Sequence, residues 1–158
     1  YLALVGPECK ELDGIVGYYG ELLVLLAQSL GLNSCWVGGT YKVVNRAYHV
    51  DLGQKLAAVV TLGYGASQGV PHRSKAPQEV APGYDGAPEW FKRGVDAALL
   101  APTALNQQKF SFSLGGEEND VPVVRASTKR GAFTQMDLGI AQCHFEIGAG
   151  NVLYRWSE

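Results

Sequence analysis

Cysteine, methionine and any excess of one charge are scarce in this chain. Its 158 residues hold three cysteines and one methionine, and 13 basic side chains stand against 15 acidic ones. Cys9, Cys35 and Cys143 form neither a CxxC pair nor a disulfide-dense pattern, so reduced thiols in a cytoplasmic protein are expected. A net charge of −2 gives no electrostatic reason for nucleic acid or an anionic membrane as partner. The longest uninterrupted apolar run, Leu22–Ala27, falls far short of the ~20 residues that span a bilayer. No charged-then-apolar leader opens the chain. The GxSxG elbow, the HExxH pair and the lysine-bearing P-loop are missing too. His49, His72 and His144 are scattered, and no nucleophile–base pair or metal-ligand spacing is visible. Any chemistry here should therefore be carried by a cofactor.

What remains is an ordinary globular composition, 47% hydrophobic and 18% charged, long enough for one domain. "YLALVG" reads as a strand already under way at Tyr1, so a preceding segment is expected to be missing. Residues Tyr1–Val5 read as a buried strand. A helix is expected over Tyr19–Leu30, apolar at Leu22, Leu23, Leu25, Leu26 and Leu30 and hence buried on nearly all faces. Gly31 suits the left-handed residue that closes it. "CWVGGTY" follows as a tight connection, then a short helical piece around Tyr41–Ala47. Residues 55–65 have the length and β-branched content of an interior strand. Residues 66–88 read as loop, with four prolines. Pro88 opens a helix that carries Trp90, Phe91, Val95, Ala98 and Leu99 and stops before Pro102. "KFSFSL" and "VPVVRAS" read as strands, "TQMDLGIAQCHFEIGA" as a helix and "NVLYRW" as a closing strand. "LLAQSLGLNSCW" and "QCHFEIGAGNVLYRW" form a faint repeat of helix, glycine and aromatic extension.

Three stretches could hold a ligand. In "GLNSCWVGG", Gly38 and Gly39 allow peptide N–H groups to face a ligand, or simply make a tight turn; Trp36 reads equally as core. In "GVPHRSKAP", His72, Arg73 and Lys75 with Ser74 could clamp a phosphate, or be solvated loop residues. In "APTALNQQKF", Thr103, Asn106 and Gln107 offer donors and acceptors suited to a flat, polar-edged ligand, or cap local backbone turns. His144 on an apolar helix reads as a satisfied core histidine. Cys35 and Cys143 read as inert packing groups.

In this order, the segments at 17–42, 62–75, 87–112 and 136–150 resemble the nitroreductase superfamily of FMN-dependent oxidoreductases, in the branch labelled "TM nitroreductase". The resemblance covers most of the chain. It implies an α+β nitroreductase-like fold with a central, mainly antiparallel sheet flanked by helices. FMN would be held by Trp36, Val37, Gly38 and Gly39, with His72, Arg73, Ser74 and Lys75 at the phosphate. Pro102, Thr103, Asn106 and Gln107 would match the stretch that a partner subunit contributes in that superfamily. Because all of these lie on one chain, we expect a fused pseudo-dimer with half-repeats 1–82 and 83–158, or else a homodimer. NAD(P)H would supply electrons and a nitroaromatic, quinone or similar acceptor would collect them, with no side chain acting as obligatory acid or base. The alternatives are a flavin-binding or structural protein without turnover, or a dehalogenating or flavin-fragmenting relative. The superfamily's Arg-x-Ser-x-Arg phosphate element belongs upstream of Tyr1 and is absent.

Overall fold

A continuous apolar run at 56–60, alternating apolar residues over 110–114, and a long apolar helix pattern over 134–149 supply the scaffold. The computed structural model describes residues 1–42, 44 and 46–157. Its elements run β1 (Leu2–Pro7), α1 (Leu12–Ser29), β2 (Asn33–Val37), β3 (Gln54–Gly63), α2 (Pro77–Val80), α3 (Glu89–Ala98), β4 (Phe110–Glu118), β5 (Val121–Thr128), α4 (Thr134–Ala149) and β6 (Arg155–Trp156). No described helix is long and apolar enough to cross a membrane.

The mixed α+β architecture is as the sequence suggests, and most strand pairs are antiparallel. The strands divide, however, into two three-stranded sheets. In the first, β3 lies between β1 and β2 and is antiparallel to both. In the second, β5 is antiparallel to β4 and parallel to β6. Helix α1 packs on the first sheet, α4 on the second, and α1 and α4 pack against each other. Helices therefore form the junction between the two sheets.

Glycines make that junction possible. A Cβ on Gly17 would overlap the Met136 carbonyl oxygen and stand 3.0 Å from its carbonyl carbon. A Cβ on Gly139 would overlap the Gly14 carbonyl oxygen and stand 2.9 Å from the Tyr18 nitrogen. This also explains why α1 begins at Leu12 and not at Tyr19. Gly14, Gly17 and Gly20 argue against helix on propensity, but close packing overrides them, on α4 at Gly14 and Gly17 and on Trp36 and Leu4 at Gly20. Nor is α1 buried all round. Ile15, Tyr19, Leu22, Leu23, Leu26 and Leu30 are exposed, because the first sheet and α4 cover two faces and leave a third open.

Gly31 closes α1 at φ +76°, with the Leu32 N–H on the Ala27 carbonyl at 2.9 Å. Cys35, Trp36 and Val37 belong to β2 and pair with β3, so they are strand rather than connection. Of the expected helical piece at 41–47, Val43 and Asn45 lie outside the described residues, and the others there form no helix. The main core gathers between α3, α4 and the second sheet. Phe91, Phe112 and Phe145 are fully buried, with the Phe112 and Phe145 rings 4.8 Å apart. Tyr154 stacks on Trp90 at 5.3 Å.

Candidate functional site

Where β2 ends, the chain leaves the sheet. Val37 pairs with Val59 in the last register position, and Gly38 and Gly39 run on past it. Facing them is the turn after Pro102, in which Leu105, Asn106 and Gln108 all adopt positive φ (54°, 52° and 43°). Such backbone is costly for residues with side chains and persists only where its surroundings enforce it. Between the two lies a cavity of about 890 Å³, lined also by Val24 of α1 and by Met136, Asp137 and Ile140 of α4. Both sheets' halves thus contribute to one concave site of the size that holds a drug-sized ligand.

The turn is held from the α4 side by Asp137. Its Oδ1 accepts the Ala104 N–H at 2.9 Å and its Oδ2 accepts the Gln107 side-chain amide at 2.7 Å. The same Gln107 amide nitrogen reaches the Ala132 carbonyl at 2.9 Å. Asp137 is only 3% exposed. Burial holds its carboxyl above the ordinary aspartate range, against the opposing pull of the Ala104 N–H, the Gln107 amide and the Lys109 charge. Just before it, Phe133 caps α4 at φ +60°. A Cβ on Gly38 would meet the Phe133 ring at 2.8 Å. Glycine at that position therefore makes room for an aromatic wall, whatever its amide does for a ligand.

On the opposite wall Trp36 is fixed from beneath. Its indole N–H donates to Glu21 Oε2 at 3.0 Å, and Glu21 Oε1 lies 2.8 Å from His144 Nε2. Glu21 is 1% exposed, so β2, α1 and α4 are tied together by one buried carboxylate. A Cβ on Gly20 would crowd the Trp36 ring at 2.5 Å. Behind this layer, burial first and then the Glu21 and Glu146 charges push the Cys143 thiol up to about 11. That thiol stays protonated and packs.

Seven of the twelve residues expected at the cofactor line the cavity: Trp36, Val37, Gly38, Gly39, Pro102, Thr103 and Gln107. The other five do not. His72 and Ser74 contact the Leu99 carbonyl at 2.9 and 3.0 Å. The Lys75 ammonium donates to the Gln108 carbonyl at 2.7 Å, and its backbone N–H to Gln108 Oε1 at 2.9 Å. Asn106 donates to the Arg73 carbonyl at 2.9 Å and accepts from the Gln108 amide at 2.7 Å. The 72–75 segment thus braces the 103–108 turn from behind, and the Arg73 side chain is exposed. His72 and Ser74 satisfy the Leu99 carbonyl at the end of α3, and Lys75 that of Gln108 in the irregular turn.

Other functional candidates escaped the sequence reading. Glu21 and Asp137 are acids set among apolar residues of a helix, which is the one signal that could have singled them out. Cys35, expected as packing, is exposed and lines the cavity.

The two-sheet α+β fold with a cavity between its halves is nitroreductase-like. The chain belongs to the family described as "Putative TM nitroreductase", whose model matches residues 1–149. Its fold is similar to the crystal structure of "a putative nitroreductase" from Thermotoga maritima, with a TM-score of 0.66 and 21% identity. The similarity covers 87% of this chain and 55% of that one, so this chain spans about half the length of the solved relative. No curated protein matches.

Proposed function

We propose that this chain forms the flavin-binding part of an FMN-dependent oxidoreductase that passes electrons from NAD(P)H to an electron-poor small molecule such as a nitroaromatic or quinone. The observation that carries this reading is the convergence of the 36–39 and 102–107 segments on a single cavity. Family membership supports it. Bound FMN would supply the hydride-accepting chemistry that no side chain of the cavity offers.

The residues present suit the ring end of that group. Val24, Trp36, Met136 and Ile140 give apolar walls that keep water from a planar ring. The Gly38 and Gly39 amides, lying past the β2–β3 ladder, are available as donors where negative charge builds up. The Gln107 side chain is pinned through its nitrogen to Ala132 and Asp137, which leaves its oxygen as an oriented acceptor. Thr103 lines the cavity while its hydroxyl accepts the Gln108 N–H at 3.1 Å. No residue is assigned a proton-transfer step. We also read the two halves, 1–82 and 83–158, as a fused pseudo-dimer, because each carries one sheet and both wall the cavity.

The test is anaerobic mixing of the FMN-loaded chain with NAD(P)H. Loss of the yellow absorption, followed by its return on adding a quinone, is the expected result. Binding without bleaching would leave a flavin carrier and not an oxidoreductase.

A further inference from the structure

The cavity's charge is at odds with an anionic end group. Among the described residues that line it there is no lysine, arginine or histidine, and the one ionisable carboxyl is that of Asp137. The cations that could have served are turned elsewhere. Lys75 is bonded to the Gln108 carbonyl, His72 to that of Leu99, and Arg73 is exposed and outside the lining. Lys109 is outside the lining, its ammonium 2.7 Å from where a Cβ on Gly131 would lie. Lys42 and Arg130 are exposed and outside the lining.

From this arrangement we infer that the cavity of this chain recognises the uncharged ring system of a flavin and does not read the phosphate, so that riboflavin binds as tightly as FMN. The inference rests on the flavin-site reading above and narrows its ligand chemistry. Recognition falls to apolar walls and to neutral partners, namely Gln107, Thr103 and the Gly38–Gly39 amides. Each of these addresses a heteroaromatic ring equally well with or without a phosphate ester on its tail. The Asp137 carboxyl offers an anionic phosphate no attraction. The 72–75 segment then acts mechanically, as the support of the 103–108 turn that forms one wall.

The experiment compares the dissociation constants of FMN and riboflavin for the whole chain, read by quenching of flavin fluorescence. The two are expected to agree within about threefold, since a charge-assisted clamp on the phosphate would separate them by about tenfold or more. Lys75→Ala should leave their ratio unchanged while lowering the melting temperature. FMN binding tenfold tighter than riboflavin would overturn the inference and leave the flavin site intact, and loss of that preference in Lys109→Ala would then place the phosphate there. Failure of both flavins to bind would overturn the flavin site itself, and this inference with it.

Discussion

Adding one methyl group at Gly17 tests the α1–α4 junction on which the cavity is built. The new Cβ would run into the Met136 carbonyl oxygen and lie 3.0 Å from the carbonyl carbon and 3.1 Å from the Ile140 nitrogen. All three are backbone atoms, so no side chain can rotate out of the way and the helices must part. Overpacking of this kind costs about 1–3 kcal/mol, and a backbone collision belongs at the upper end. Alanine returns about 1 kcal/mol through its better helix propensity. The net expectation for Gly17→Ala is a loss of about 2 kcal/mol, or a fall in Tm of roughly 4–8 °C for a chain of this length. Gly14→Ala is the matched control on the same helix: its Cβ would meet nothing nearer than the Gln135 carbonyl oxygen at 3.8 Å. There only the propensity gain applies, so stability should hold or rise by up to about 1 kcal/mol. Urea melts of the two variants beside the parent give the answer. A Gly17→Ala protein as stable as Gly14→Ala would refute the close crossing of α1 and α4.

Glu21→Ala removes the acceptor for Trp36 and the partner of His144 together, and should cost about 3 kcal/mol or more with a shift in tryptophan emission; a loss under about 1 kcal/mol would contradict the buried tie. Tyr154 Oη is buried without a hydrogen-bond partner among the described residues, so Tyr154→Phe should be neutral or stabilising in urea melts. Clear destabilisation there would mean that the hydroxyl is bonded. Asp137 titrates above its ordinary value of 3.8 in the fold, so it binds its proton more readily folded than unfolded. Its contribution favours folding at low pH and is lost as pH rises through the raised folded value. Wild type should therefore lose stability relative to Asp137→Asn as pH climbs from below 3.8 toward neutrality, and parallel pH profiles would contradict the buried carboxyl.

Periodicity made the scaffold legible where one force dominated. The α4 segment at 134–149, the strand read at 55–65 and the start of β4 at 110–114 are read directly, because apolar residues and a buried face coincide there, whereas the largely exposed end of β4 at 115–118 is not. The N-terminal turns of α1 were not, since glycines that look like helix breakers are the means of close packing, Gly14 and Gly17 at α4 and Gly20 at Trp36 and Leu4 of the first sheet. The open face of α1 was invisible for a related reason: leucine spacing shows that a face is apolar but not whether anything covers it. At the site, types of residue were legible and directions were not. Trp36, Gly38, Thr103 and Gln107 meet at the cavity, whereas Asn106, one residue from Gln107, turns away to Arg73 through a left-handed backbone. The 72–75 cations point to a phosphate by composition, yet Lys75 is engaged by the Gln108 carbonyl of the irregular turn and His72 by the Leu99 carbonyl after α3. No local pattern encodes that competition.

Gly39 offers the most direct measurement of whether the cavity is the flavin site. It lines the cavity, and a Cβ there would approach nothing nearer than the Phe133 ring at 3.9 Å. A side chain can therefore start at Gly39 without a clash at its Cβ, and Gly39→Phe should crowd the cavity. Titration with flavin should saturate at one per chain in the parent and show no saturable binding in Gly39→Phe, with both proteins melting at the same temperature. Equal binding by the two would place the flavin elsewhere.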